Sequence, residues 1–72
     1  MSRYKKLTPF GWQVSRRLEK RGLTISDLAE AVERMTGKFV TDHYILNALR
    51  GMPTPRRVLN AIREVLDLPE EG

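Results

Sequence analysis

Side chains that commonly take part in catalysis or metal binding are few in this sequence. It contains one histidine, His43, and no cysteine, which excludes disulfides, thiolate metal sites and cysteine nucleophiles. A single histidine forms a zinc site only if carboxylates supply the other ligands. The sequence also has no Ser/His/Asp arrangement, no glycine-rich phosphate loop and no carboxylate pair in an apolar setting. We therefore expect no enzyme activity, no bound metal and no cofactor.

The basic residues are the stronger functional signal, because they are unevenly distributed. The chain carries 13 Lys and Arg against 9 Asp and Glu, a net charge of +4. Residues 1–21 hold seven of the basic side chains and only one acidic one. Such clustering favours a polyanionic partner, since Lys and Arg displace counterions from phosphate backbones. Considered alone, the charge is equally compatible with an ordinary solvated surface.

The length of 72 residues corresponds to one small domain. No apolar stretch approaches the roughly 20 residues of a membrane helix, and no long apolar segment follows the charged residues 1–6. We expect a soluble cytoplasmic protein without a signal peptide or membrane contact. The chain divides into a basic arm (residues 1–7), a folded domain (residues 8–68) and a frayed tail (residues 69–72).

The first predicted helix has a clear start and a clear stop. Thr8 is an N-cap, and Pro9 fits the first helical position because its missing N–H would be unbonded there. Gly22 is suited to the left-handed conformation that ends a helix, and Leu23 is expected to contact Leu18 in a Schellman motif.

The second predicted helix begins immediately afterwards. Thr24 is its N-cap, with Asp27 completing a capping box, and the helix runs to about Thr36, where Gly37 ends it. Its apolar residues recur at helical spacing and are expected to face the core: Ile25, Leu28, Ala29, Val32 and Met35.

Two further helices complete the domain. The connector Lys38-Phe39-Val40 has two apolar residues to bury, and Thr41 caps a third helix over Asp42–Arg50. Thr54-Pro55 repeats the opening signal of the first helix and starts a fourth, which stops at Leu68-Pro69. We found no convincing strand, so the sequence predicts an all-α fold, a compact bundle of four helices or of five.

Three segments carry a family resemblance. Residues 22–30 (GLTISDLAE) follow the pattern G-L-T-x-x-x-L-A-x, and residues 40–51 (VTDHYILNALRG) are similar to V-S-x-x-x-I-x-x-[apolar]-x-x-G. Pro53-Thr54-Pro55 is then followed by spaced apolar residues: Leu59, Ile62, Leu66 and Leu68. In order and spacing these segments resemble the helix-turn-helix and closing helix of phage repressor and Cro-like proteins, the XRE (lambda-repressor-like) family. The resemblance spans residues 10–68 and implies a helix-turn-helix within the bundle.

The sequence departs from the family pattern at three places. The stretch from Ala31 to Phe39 is about six residues longer, so the second helix runs an extra turn or the connector bulges. Ile25 replaces a glutamine that often contacts DNA phosphate in the family. Leu46 and Leu49 occupy positions that are often polar.

The resemblance implies that residues 42–50 form the helix that enters the DNA major groove. It places Asp42, His43, Tyr44 and Asn47 against the bases. Asn47 would pair with adenine N6 and N7, and His43 would donate to a purine N7 or to a phosphate. Three alternatives stay open: Asp42 as a partner of the helix dipole, His43 as an ordinary surface histidine, and Tyr44 as a packing residue beside Ile45.

Phosphate contacts are expected from basic and N-capping residues around this helix. Arg56 and Arg57 lie in the first turn of a predicted helix, where the dipole disfavours cations, and this cost favours a functional reason for them. The full expected set comprises Thr24, Lys38, Thr41, Arg50, Thr54, Arg56 and Arg57, with Arg3, Lys5 and Lys6 of the arm.

The resemblance thus implies a sequence-specific transcriptional regulator that binds double-stranded DNA. It would be a Cro-like repressor or an excision-type protein of a phage or mobile element, binding its operator as a homodimer in a bacterial cell. We expect no small-molecule effector. The alternative is a protein-interaction module on the same scaffold, like an anti-repressor or antitoxin. Its candidate interface consists of Trp12 and the segment 31–40. Trp12 lies opposite the stripe Phe10, Val14 and Leu18 on a helical wheel, and folding of its ring over the Leu7 end or the last helix stays open as the alternative.

Overall fold

A computed structural model describes residues 7–68, which form four helices and no strand. The helices are α1 (Pro9–Arg21), α2 (Ile25–Thr36), α3 (Asp42–Leu49) and α4 (Arg56–Leu66). The all-α prediction is confirmed for this part of the chain. The predicted tail, residues 69–72, and the arm residues Arg3, Lys5 and Lys6 lie outside the described residues. Leu7, which we assigned to the arm, packs partly buried against the core.

Threonine residues cap the first three helices, as the sequence predicts. The hydroxyl oxygens of Thr8, Thr24 and Thr41 each accept a hydrogen bond from the amide three residues later, at 3.0–3.1 Å. The capping box is complete, because the Thr24 N–H also donates to the Asp27 carboxylate at 2.9 Å. Each such cap typically stabilises a helix by about 1 kcal/mol.

The C-terminal signals of α1 and α2 are also confirmed. Gly22 and Gly37 adopt left-handed conformations, with φ of 68° and 72°. The Leu23 N–H donates to the Leu18 carbonyl at 2.9 Å and the Gly22 N–H donates to that of Glu19 at 3.2 Å, which is the Schellman pair of bonds.

The prediction of Thr54 as the N-cap of α4 is wrong. Pro55 occupies the cap position, and α4 has no side-chain cap. The Thr54 hydroxyl instead donates to the carbonyl of Met52 at 2.8 Å, so it points back into the preceding turn.

The end of α4 also differs from the prediction. The helix stops at Leu66, before Leu68-Pro69, because Asp67 takes a left-handed conformation with φ of 55°. Aspartate tolerates this conformation better than most residues. The Leu68 N–H donates to the Arg63 carbonyl at 2.8 Å and completes a Schellman-type end without glycine.

The core is formed where α2 packs against α3 and α4 and α1 packs against the same two helices. Its largest fully buried side chains are Val14, Leu28, Val32, Ile45, Leu49, Val58, Ile62 and Leu66. Two residues predicted to be buried are exposed instead: Met35, 47% exposed, lies in the last turn of α2, and Phe39 is 83% exposed. In the connector, Phe39 faces outward whereas the next residue, Val40, faces the core.

The backbones of α1 and α3 meet at Gly11. A Cβ atom on Gly11 would overlap the carbonyl oxygen of Leu49, the last residue of α3. The same oxygen accepts hydrogen bonds from the Thr8 N–H at 3.0 Å and from the Thr8 hydroxyl at 3.1 Å. The end of α3 is therefore held by the start of α1, at a distance that only glycine permits.

We predict that Gly11→Ala destabilises the fold by about 1–3 kcal/mol, because the added methyl group must displace backbone. Helix propensity alone would give the opposite sign, a gain of about 0.5–1 kcal/mol. Urea unfolding followed by circular dichroism measures the change. Arg16→Ala, at an exposed position of α1, is the control and should shift stability by less than about 0.5 kcal/mol. Unchanged or increased stability of Gly11→Ala would show that the contact is not close.

Candidate nucleic-acid interface

One side of α3 faces solvent. Ile45, Ala48 and Leu49 are buried. With 100° between successive residues, His43, Asn47 and Arg50 fall on the opposite side of the helix axis, with Leu46 at its margin. We call these four residues, together with Asp42 of the first turn, the outward face of α3; Asp42 and His43 are exposed and the others are half-buried.

Three of the four predicted base-contacting residues lie on this face. They are Asp42, His43 and Asn47. Tyr44 does not, because its side chain is half-buried against the core cluster, as the packing alternative proposed. Leu46 and Arg50, which were not among the predicted base contacts, also belong to this face.

Asp42 has a structural contact as well as an exposed position. Its carboxylate accepts a hydrogen bond from the Ser26 hydroxyl of α2 at 2.5 Å. It is also an anion in the first turn of α3, where the helix dipole stabilises negative charge. Asp42 therefore links the first turns of α2 and α3. Sequence analysis did not identify Ser26, since nothing local marks a bond across 16 positions.

The connector between α2 and α3 is short and firmly attached. Of the two expected possibilities, the extra turn is the one observed: α2 has 12 residues and reaches Thr36. The Val40 N–H donates to the Glu33 carboxylate at 3.1 Å, and the Lys38 N–H donates to the Thr36 hydroxyl oxygen at 3.3 Å. Because Val40 is itself buried, the exposed Lys38 and Phe39 are carried on a fixed backbone.

Exposed basic residues lie on either side of α3 along the chain. Lys38 precedes α3, and Arg56 and Arg57 are the first two residues of α4; all three are exposed. The first turn of α4 contains no acidic residue. Between this turn and the end of α2 lies a groove of about 490 Å³ lined by Met35, Thr36, Arg56, Arg57, Asn60, Ala61 and Glu64. The two arginines thus stand at an uncapped helix N-terminus, beside an open groove.

The threonines predicted to contact phosphate all take part in internal hydrogen bonds. Thr24 and Thr41 are N-caps, and the Thr54 hydroxyl donates to Met52. At Thr24 the backbone N–H already donates to Asp27. A phosphate there would compete with a carboxylate for the same hydrogen, so Thr24 is the least favourable of the predicted contacts.

Two basic residues of α1 contact the far end of α4. Arg17 donates to the Leu66 carbonyl at 3.2 Å and Arg21 donates to the Val65 carbonyl at 3.3 Å. Both carbonyls lie in the last turn of α4, where the negative end of the helix dipole favours cations. Arg63 of the same turn stacks on Phe10, with 4.9 Å between the guanidinium carbon and the ring centroid. These cations stabilise the fold, which sequence analysis did not foresee.

Trp12 is 57% exposed, on the side of α1 away from the core stripe. Its neighbour Gly11 is buried at the contact with α3, and Phe10 is half-buried. The helical-wheel placement of Trp12 is therefore confirmed, and its role as an interface stays a prediction.

Within residues 7–68 no three His, Cys, Asp or Glu side chains lie close enough together to hold a metal ion. No helix in this range is long and apolar enough to cross a membrane. Comparison of the chain with protein-family models, curated proteins and solved structures finds no match.

We predict that Glu33→Ala destabilises the fold by about 1 kcal/mol or more, because the part-buried Val40 N–H loses its acceptor. Glu33→Gln keeps a carbonyl oxygen at the same place and should recover most of the loss. Denaturant unfolding measures both. Glu30→Ala removes an exposed carboxylate from the same helix and serves as the matched control. If it costs as much as Glu33→Ala, the bond to Val40 contributes nothing.

Proposed function

We propose that this protein binds double-stranded DNA sequence-specifically and regulates transcription, with α2 and α3 acting as a helix-turn-helix. One observation carries the proposal: α3 is attached at both ends, by Ser26 at its start and by Thr8 at its last carbonyl, while its outward face stays accessible. A DNA-recognition helix needs this combination, because its side chains must reach the base edges from a backbone of fixed orientation.

The charges around α3 support a phosphate-bearing partner. Lys38 lies before its first turn, and Arg50 follows its last helical residue. Arg56 and Arg57 oppose the dipole of α4, which costs stability in the free protein and would be offset when a phosphate approaches that helix end. In this arrangement the four cations position the domain on the backbone, and the outward face reads the bases.

Base recognition is assigned to the middle of the outward face. Asn47 has the donor and acceptor needed to pair with adenine N6 and N7, worth about 1–3 kcal/mol of discrimination against another base. His43, one turn earlier and exposed, reaches a purine N7 or a phosphate. Asp42 serves mainly as the link to Ser26, and it disfavours phosphate directly beside it.

The operator is proposed to be two-fold symmetric and bound by a homodimer, since one short helix reads too few base pairs for useful specificity. The small size of the domain fits a Cro-like repressor or an excision-type protein of a phage or mobile element. The site of action would be the bacterial cytoplasm.

A second candidate function follows from Trp12. Exposed tryptophans are enriched at the centres of protein interfaces. The domain would then bind a partner protein through α1 and leave α3 unused. A stoichiometric protein complex that is lost on Trp12→Ala and indifferent to DNA would favour this function.

We predict salt-dependent binding to random-sequence duplex DNA, measured by fluorescence anisotropy at about 50 and 200 mM salt. Arg56→Ala/Arg57→Ala should weaken binding and reduce the slope of log K against log salt by about 1.8, for two phosphate contacts. Arg16→Ala/Lys20→Ala removes the same charge from exposed positions of α1 and should reduce the slope much less. No binding at the lower salt by the folded protein would refute the proposal, and equal effects of the two double variants would refute the phosphate map.

A second prediction concerns specificity. Asn47→Ala should change binding to random DNA little, yet it should weaken binding to a site obtained by selection from a random library by about 5- to 150-fold. The reason is that a bidentate base contact is made only on the correct sequence. Competition titrations with both DNAs measure the ratio. An equal loss on both would place Asn47 at the backbone rather than at a base.

A further inference from the structure

Phe39 is the most exposed large apolar side chain among the described residues, at 83%. It lies in the connector, directly after Lys38 and two residues before the N-cap of α3, Thr41. The ring contributes little to the stability of the fold, because apolar side chains stabilise a protein by being buried.

The backbone that carries the ring is nevertheless fixed. Both neighbouring amides are bonded, that of Lys38 to Thr36 and that of Val40 to Glu33. Val40 is 5% exposed and anchors the connector in the core. Phe39 is therefore an exposed side chain on an ordered backbone, and a partner that binds it does not have to order the connector as well.

The short distance to α3 limits what Phe39 can touch. Asp42 is three positions after Phe39, and an extended chain spans at most about 3.6 Å per position, which puts their Cα atoms at most about 11 Å apart. This step rests on the proposed function, in which the start of α3 enters a major groove about 12 Å wide. Phe39 then stays at the edge of that same groove and does not reach across the phosphate backbone to the minor groove.

We propose that Phe39 contacts the C5-methyl group of a thymine beside the bases read by α3. A phenyl ring has no hydrogen-bond donor and no charge, so a phosphate offers it nothing. The thymine methyl group is the apolar feature that base pairs present in the major groove. Lys38, the adjacent exposed cation, would neutralise the phosphate at that edge and bring the ring against the base. Phe39 would thus add preference for thymine at one operator position that the outward face does not reach.

The test uses the selected operator, with each thymine replaced in turn by uracil, which removes only the methyl group. For the wild-type protein one replacement should weaken binding about fourfold, the effect of one buried methyl group. Phe39→Ala should weaken binding to the thymine operator by at least the same factor and show no further loss with uracil. Phe39→Leu keeps an apolar group and should retain part of the thymine preference. Met52→Ala removes another exposed apolar side chain and should leave the fourfold effect intact.

The outcomes separate this inference from the proposed function. Specific DNA binding with a uracil effect that persists in Phe39→Ala, or with none at any position, overturns the inference alone. A wild-type dimer in sedimentation analysis that becomes monomeric in Phe39→Ala also overturns it, by assigning the ring to self-association. Absence of salt-dependent DNA binding by the wild-type protein refutes the proposed function, and the inference fails with it.

Discussion

The carbonyl oxygen of Leu49 is the point on which the position of α3 depends. As the last residue of α3, Leu49 has a carbonyl that its own helix leaves unpaired. Thr8 supplies both donors, while its hydroxyl oxygen caps α1 at the same time. Gly11 makes the approach possible by having no side chain. One cluster of hydrogen bonds therefore lies at both the start of α1 and the end of α3. It fixes the orientation of the outward face of α3, although α1 contributes no residue to that face.

The positive charge of the chain is divided between two uses. Arg17 and Arg21 donate hydrogen bonds to carbonyl oxygens at the C-terminal end of α4, where the helix dipole favours positive charge. These two residues contribute to the stability of the fold. Arg56 and Arg57 stand at the opposite end of the same helix, where the dipole opposes them. A net charge of +4 does not reveal this division. It becomes visible only when each cation is placed against the helix end that it faces, and the proposal of a phosphate-bearing partner rests on the unfavourable placements.

Much of the local architecture could be predicted from the sequence, and most of the long-range architecture could not. The Thr8, Thr24 and Thr41 caps and the glycine stops depend on residues a few positions apart, so their patterns are readable. Thr54-Pro55 looked the same but failed, because Pro55 itself occupies the N-cap position of α4 and Thr54 lies in the preceding turn, where its hydroxyl donates to the Met52 carbonyl. For the candidate site, the family resemblance selected Asp42, His43 and Asn47, which are accessible, and Tyr44, whose side chain packs against the core. The bonds of Ser26 and Thr8 to α3 span 16 and 41 positions, and no local pattern encodes them.

The buried and the accessible residues of α3 have different roles. Ile45, Ala48 and Leu49 belong to the core, and Asp42 is tied to Ser26, but His43, Leu46 and Asn47 contribute little to either. Exchanging these three residues would leave the attachments of the helix untouched. Under the proposed function, a domain built this way could change its target sequence in single steps, without first acquiring spare stability to tolerate the change. The residues that decide the target would then occupy about one turn of helix.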